Sequence, residues 1–291
     1  MPVNTIAIMS PGDMGHAVGK VLSESGLDVI TCTEGRSLRT RNLAKVAGFR
    51  QVASLSDLVS EADLILSIMV PSRAMDFATE IAPHMESTAS QTFYADCNAV
   101  SPQTSQNISE VINNSGGVFI DGGIIGGAPT KGDIPRFYVS GPDAAVVTEL
   151  DGRGITVKAI GDQIGQASGI KMCYAALTKG THTLHVALLT AANKMGLTED
   201  LRNEFEFSQK SHLNAMEKGI SRLPANAHRW IGEMEEIAST FEHLGVTPNF
   251  HRGAAEVYRM LNATPFAEET PETIDNDRTT WDTIDAVSNL D

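Results

Sequence analysis

From Thr5 to Ala159 the chain alternates short apolar runs with segments of helical periodicity, and after Gly165 only the helical periodicity continues. A short apolar run bounded by turn residues predicts a buried strand. Apolar positions three and four apart predict a helix packed on one face. Strands are expected at Thr5–Met9, Val29–Cys32, Phe49–Val52, Leu64–Val70, Thr92–Asp96, Val118–Asp121, Arg136–Ser140 and Thr156–Ala159. Helices are expected between them at His16–Ser25, Leu38–Ala47, Ser54–Glu61, Met75–Ala82, Ser101–Asn113 and Asp143–Leu150. Local chemistry supports several ends. Asp57 follows the Ser54 cap by three residues, Pro102 suits a first helical position, and Gly26 suits a left-handed stop. This alternation predicts an α/β fold, an N-terminal Rossmann-type doubly wound sheet over residues 1–164. The helical segments Gly165–Met195, Thr198–Glu217, Ala225–Leu244 and Phe250–Leu261 predict an all-α C-terminal domain over residues 165–291. The acidic, Thr-rich stretch Ala267–Asp291 reads as a short terminal helix or a mobile tail.

Composition adds exclusions. A length of 291 residues exceeds one typical core, which agrees with two domains. The formal charge of −14 argues against a nucleic-acid partner and against adhesion to anionic membrane. No stretch approaches the ~18 apolar residues of a membrane span. Thr5–Met9 is too short for a signal-peptide core and no basic region precedes it, so a cytoplasmic protein is expected. Cys32, Cys97 and Cys173 lie far apart in apolar contexts and read as buried thiols. The eight histidines form no metal-ligand pattern, so no metal is expected.

The opening strand, turn, helix and strand form the first unit of a dinucleotide-binding fold. Its turn is Ser10-Pro11-Gly12-Asp13-Met14-Gly15, with Ser10, Gly12 and Gly15 at the three fingerprint positions. Gly12 leaves bare backbone for a pyrophosphate, Gly15 allows close helix–strand packing, and the helix N-terminus offers amide donors. The alternative is a purely structural βα turn. The end of the second strand reads the ribose. Glu34 suits a 2′-hydroxyl and hence NAD. Arg36 and Ser37, with Arg39 and Arg41 behind them, suit the 2′-phosphate of NADP. NADP is the expected cofactor, NAD the alternative; Arg39 and Arg41 also read as the solvated face of their helix. Met69, Val70 and Pro71 close the fourth strand and Asn98 follows the fifth, at the edge where ligands bind open α/β sheets.

Two further stretches carry candidate chemistry. Asp121-Gly122-Gly123-Ile124-Ile125-Gly126-Gly127-Ala128-Pro129 is glycine-dense and reads as a loop of bare amides suited to an anion, or as a flexible turn. Gly165–Lys179 is an apolar helix with Lys171 in its first turns; such a lysine snorkels to solvent or serves chemistry.

These stretches together resemble the β-hydroxyacid dehydrogenase superfamily, which includes 6-phosphogluconate and 3-hydroxyisobutyrate dehydrogenases. The family's G-x-G-x-M-G is similar to Ser10–Gly15, its D-x-P-V-S-G-G to Asp121–Gly127, and its G-x-x-x-K-x-x-x-N to the segment around Lys171. The three occur in family order over about the first 180 residues. The second half is similar to the branch with an uncharacterised helical C-terminal domain. The resemblance implies an NAD(P)-dependent oxidoreductase acting on an alcohol or its carbonyl, with Lys171 as general acid/base. It also implies a homodimer. Two positions depart from it: Ile125 replaces the loop serine, and Ala175 replaces the asparagine four residues after Lys171.

On a helix Tyr174, Ala175, Thr178 and His182 share the face of Lys171. Tyr174 and Thr178 are therefore candidate substrate contacts, along with Gly122, Gly123 and Ile124. A lysine working near neutral pH needs a lowered pKa, which burial and a cationic nicotinamide would give. Arg229 and Glu233 read as a helix ion pair or as readers of a substrate carboxylate; His251 reads as a cap or a packing residue. An imine or ketone reductase on the same fold, and a non-catalytic dinucleotide-binding regulator, remain as alternative functions.

Overall fold

The computed structural model describes residues 2–9, 11–88, 91–129, 132–270 and 272–290. The chain divides into two compact units, Met1–Met172 and Cys173–Asp291. The division falls inside a helix, eight residues beyond the 164/165 boundary read from the sequence.

In chain order the first unit contains β1 (Thr5–Met9), α1 (Asp13–Glu24), β2 (Asp28–Thr31), α2 (Leu38–Val46), β3 (Arg50–Gln51), α3 (Leu55–Glu61) and β4 (Leu64–Ser67). It continues with α4 (Ala74–Glu86), β5 (Phe93–Asp96), α5 (Pro102–Asn114), β6 (Val118–Ile125), β7 (Arg136–Ser140), α6 (Ala145–Thr148) and β8 (Thr156–Ala159). The helix α7 (Gln166–Lys194) starts in this unit. One sheet has the order β3-β2-β1-β4-β5-β6-β7-β8, parallel except for the β6–β7 pair.

Alternate residues of each central strand enter different cores, as a pleat requires. Ile6 and Ile8 of β1, Leu64 and Leu66 of β4, and Ile120 of β6 lie in one core with Val18 and Leu22 of α1, Ala44 of α2 and Val147 of α6. Ala7, Met9, Ile65 and Phe119 lie in the other with residues of α3, α4 and α5. The sheet is thus doubly wound, and burial on both faces explains the unbroken apolar strands. The strand order reverses between β1 and β4, so their C-terminal ends flank the crevice where such sheets bind ligands.

Several boundaries differ from the periodicity, among them the strand expected to reach Val70, which stops at Ser67, and three of them show their physical reason. The helix expected to stop at Ala82 runs on through Pro83 to Glu86, because Ile81 and Met85 still reach the core. The strand expected to stop at Asp121 continues to Ile125, because β7 pairs with it antiparallel from Asp121↔Ser140 to Ile125↔Arg136. The glycine run is therefore strand as far as Ile125, not a loop. The segment expected as one helix, Thr198–Glu217, is broken at Gln209 (φ −137°, ψ 38°). No residue of its first half is buried, so no packing holds the two halves in line.

The second unit contains the rest of α7, then α8 (Thr198–Ser208), α9 (Lys210–Gly219), α10 (Pro224–His243), α11 (Asn249–Asn262) and α12 (Thr280–Ser288). The terminal stretch carries a helix over Thr280–Ser288, started by a capping box between Thr279 and Asp282. Arg278 anchors it: its buried guanidinium holds Glu269 at 2.6 Å and the Ser221 carbonyl at 2.7 Å, and stacks on Phe266. No described helix is long and apolar enough to cross a membrane.

His182, His185 and His251 all belong to this unit, and burial pushes the pKa of each below the ordinary 6.5. Lys179 adds to the effect at His182, and His182 and His212 add to it at His185. A lowered folded pKa means that the unfolded chain binds the extra proton first as pH falls. Stability is then complete above about pH 6.5 and declines as pH drops below that value toward the folded pKa. Both tryptophans, Trp230 and Trp281, lie in this unit. Thermal melting followed by tryptophan fluorescence is expected to shift to lower temperature between pH 7.5 and 5.5, and Phe in place of His251 is expected to reduce that shift.

Candidate functional site

The site is built on the first unit from the crevice outward. β1 ends at Met9; Ser10 lies outside the described residues, Pro11 is buried, and α1 begins at Asp13 with Gly12 as its N-cap. Gly12 has no side chain to accept from the first-turn amides, so that end of α1 suits an external anion. Close packing of α1 on the sheet rests on Gly19 as well as the buried Gly15. A Cβ on Gly19 would lie 2.1 Å from Phe49 Cζ and 2.9 Å from Ile8 Cδ1. The spacing Gly15-x-x-x-Gly19 was the available signal for it. Met14 packs at the margin of the sheet core.

After β2 the chain turns at Gly35 (φ +68°), with the Arg36 amide donating to the Thr33 carbonyl at 3.1 Å. Glu34 is exposed and Arg36 is half-buried. Ser37 is the N-cap of α2, its Oγ accepting from the Thr40 amide at 3.2 Å. Arg36 and Ser37 therefore stand at a second helix N-terminus, a donor set that fits a phosphate monoester. Arg39 is partly engaged elsewhere: its Nη2 lies 2.5 Å from Asp13 Oδ1 on the first turn of α1.

Across the switch point, Met69, Val70 and Pro71 follow β4, Pro71 opening a short 3-10 turn. The Met69 amide donates to Asn98 Oδ1 at 2.6 Å. Asn98 Nδ2 donates to Ser67 Oγ at 2.9 Å and to Asp96 Oδ2 at 3.0 Å. The buried Asn98 side chain thus ties the β4 and β5 loops together, and its own amide donates to Asp96 Oδ1 at 2.9 Å.

β6 supplies the opposite wall, and its glycines are required by close approach. A Cβ on Gly122 would lie 2.8 Å from the Asp96 carbonyl oxygen. One on Gly123 would lie 2.7 Å from the Ala167 carbonyl oxygen and 2.9 Å from Lys171 Cβ. The Ile124 side chain is in the sheet core, leaving only its backbone at the edge. Asp121, Gly123 and Ile125 point to the face that meets the start of α7.

Asp121 is the residue whose importance was hardest to see. Fully buried, it accepts from the amides of Gly165, Ala167 and Ser168 at 2.9, 2.8 and 3.1 Å, and from Ser168 Oγ at 2.5 Å. Ser105 and Ser140 each donate to it at 2.8 Å. It is the cap of α7 supplied from a strand far away in sequence, and it sets the height of Lys171 over β6. Lys171 is half-buried there, beside Gly123. Burial, with Asp96 and Asp121 adding, pushes the Cys97 thiol well above its ordinary range, which leaves it inert.

The remaining candidates lie in the second unit. Tyr174 is 44% exposed, and Thr178 donates its hydroxyl proton to the Tyr174 carbonyl at 3.1 Å. Cys173 is exposed, not buried as its context suggested, because it falls on the same outer face of α7 as Tyr174 and Leu177. Glu233 is buried and pairs with Lys179 Nζ at 2.5 Å. Trp230 lies under that ammonium, and Tyr258 Oη donates to the Lys179 carbonyl at 3.2 Å. Arg229 donates to Asn226 and stacks on Trp230. His251 is a packing residue, edge-on to Phe241 at 4.7 Å between ring centres. Lys179 carried no motif, so its partnership with Glu233 had no signal in the sequence. Among the described residues no group of His, Cys, Asp and Glu is arranged to hold a metal ion.

A doubly wound sheet with an open helix N-terminus at its switch point is the architecture of a dinucleotide-binding domain. Residues 5–150 match the NAD binding domain of 6-phosphogluconate dehydrogenase, and residues 192–261 match a domain of unknown function, DUF1932. The chain belongs to the β-hydroxyacid dehydrogenase superfamily, in the branch with this helical C-terminal domain. An uncharacterised 28.5 kDa protein of Methanothermus fervidus is 31% identical over 196 residues, 67% of this chain and 74% of that one. A conserved protein of unknown function, described as structurally similar to 3-hydroxyacid dehydrogenases, is 28% identical with a TM-score of 0.62, over 88% of this chain and 98% of that one. The 3-hydroxyisobutyrate dehydrogenase of Mycobacterium tuberculosis, solved with L-serine, shares the fold. Its TM-score is 0.68 at 15% identity, over 98% of this chain and 99% of that one.

Proposed function

We propose that the protein is an NADP-linked oxidoreductase that moves a hydride between the nicotinamide and a β-hydroxyacid-like alcohol or its carbonyl, with Lys171 as general acid/base. The observation that carries this reading is the seating of Lys171 against Gly123 at the C-terminal edge of the sheet, where a Cβ would lie 2.9 Å from Lys171 Cβ. Its height is set by Asp121 rather than by a mobile loop. The α1 N-terminus would receive the pyrophosphate, and Arg36 with Ser37 the 2′-phosphate. The bound nicotinamide supplies or accepts the hydride. Lys171 takes the alcohol proton during oxidation and returns it during reduction. Tyr174 and Thr178 are the candidate substrate contacts on α7.

Ile125 lies on the face of β6 that meets α7, where the superfamily resemblance has serine, and Ala175 is buried. An apolar residue at 125 favours a substrate less polar than a small hydroxyacid. It supports, as a second reading, reduction of a ketone or imine. Fluorescence titration with NADPH and NADH tests the cofactor assignment. Nicotinamide absorbance across hydroxyacids, aldehydes, ketones and imines separates the substrate classes. Dinucleotide binding with no turnover on any of them would contradict catalysis and favour a regulator.

We further propose a homodimer. On α7, Tyr174, Leu177 and Leu184 expose 44%, 70% and 62% of their surface, and the two leucines are seven residues apart on one side. Light scattering should give twice the 31.1 kDa chain mass; the single-chain mass at micromolar concentration would refute it.

A further inference from the structure

The ion pair between Asp13 and Arg39 joins the two places where a dinucleotide carries its phosphates. Asp13 is the first residue of α1, at the end that suits a pyrophosphate. Arg39 is on the first turn of α2, directly behind Ser37 and Arg36. Its Nη2 meets Asp13 Oδ1 at 2.5 Å. The side chains are 37% and 30% exposed, so the pair contributes little to stability and its position is open to other purposes.

We propose that Asp13 controls cofactor preference by holding Arg39 on the pyrophosphate side. Arg36 and Ser37 then read the 2′-phosphate without it. An arginine within one helical turn of a phosphate monoester would otherwise donate to it, and such charge-assisted bonds are among the stronger ones available. Asp13 thus limits the preference for NADP over NAD, and its carboxylate partly offsets the attraction of the α1 terminus for either dinucleotide. The proposal rests on the assignment of Arg36 and Ser37 to the 2′-phosphate.

The test is fluorescence titration of the protein with NADPH and with NADH, for wild type, Asp13→Asn, Arg39→Gln, their double variant and Arg36→Gln. Asp13→Asn is expected to raise the NADPH-over-NADH affinity ratio about tenfold, the worth of one charge-assisted hydrogen bond. Arg39→Gln alone should leave the ratio within about twofold, since its charge is already committed, and the double variant should return to the wild-type ratio. An Asp13→Asn ratio equal to wild type overturns the proposal. So does an Arg39→Gln variant that loses NADPH preference as far as Arg36→Gln does. Wild-type protein that binds neither dinucleotide overturns the cofactor reading itself, a distinct outcome from binding with an unmoved ratio.

Discussion

Asp121→Ala is expected to cost the sheet unit about 4 kcal/mol and to abolish turnover even in molecules that remain folded. Its carboxylate is fully buried and accepts from three amides at the start of α7 and from the hydroxyls of Ser105, Ser140 and Ser168. Truncation leaves those amides without their acceptor at a buried helix terminus, and each unpaired buried donor costs about 1–3 kcal/mol. Ser140 Oγ also reaches the Ala167 amide at 3.0 Å, which offsets part of the loss there. The first turn of α7 then frays, and Lys171 sits five residues after Gln166 at its start. Asp121→Asn keeps one acceptor oxygen but turns an NH2 group toward other donors, so an intermediate loss of about 2 kcal/mol is expected. Hydrogen exchange at Gly165–Ser168 measures this directly. Those amides should lose protection in both variants, more in the alanine variant. Wild-type protection in Asp121→Ala would show that the cap does not hold the helix.

The contrast between Asp121 and Lys171 shows what sequence alone makes legible here. The sheet was readable because buried parallel strands are continuous apolar runs and the helices between them are periodic; β1 and the start of α2 fall where the pattern put them. Gly12 and Lys171 stood out because each is costly or unusual in its local context. Asp121 stood out only as the start of a motif. Its partners, Ser105, Ser140 and Ser168, are spread over more than sixty residues of sequence, and nothing local announces that they converge. The same holds for Lys179 and Glu233, separated by 54 positions and joined only by the helical packing. The glycine run misled for the opposite reason. Gly122 and Gly123 looked like loop residues, yet they lie in a strand paired with β7, and they are glycines because α7 and the end of β5 approach too closely for any side chain.

Lys171→Ala is the second large effect. Proton transfer by a positioned side chain contributes about 10²–10⁴-fold to rate, and Lys171 is seated against Gly123 of β6. Turnover should fall by at least a hundredfold while dinucleotide affinity stays within about twofold, because the proposed binding turn at Gly12–Gly15 and the proposed readers Arg36 and Ser37 are built on other elements. Folding should be unaffected, since Lys171 is half-buried and its helix is held by Asp121. Arginine at the same position keeps the charge but not a proton that can be released near neutral pH, so it should not restore activity. The most direct measurement compares wild type and Lys171→Ala on whichever alcohol or carbonyl of the panel the wild type turns over, following nicotinamide absorbance and measuring NADPH affinity in parallel. The expected result is intact NADPH binding with turnover lowered a hundredfold or more. Turnover within about threefold of wild type would contradict the assignment of Lys171 as the acid/base.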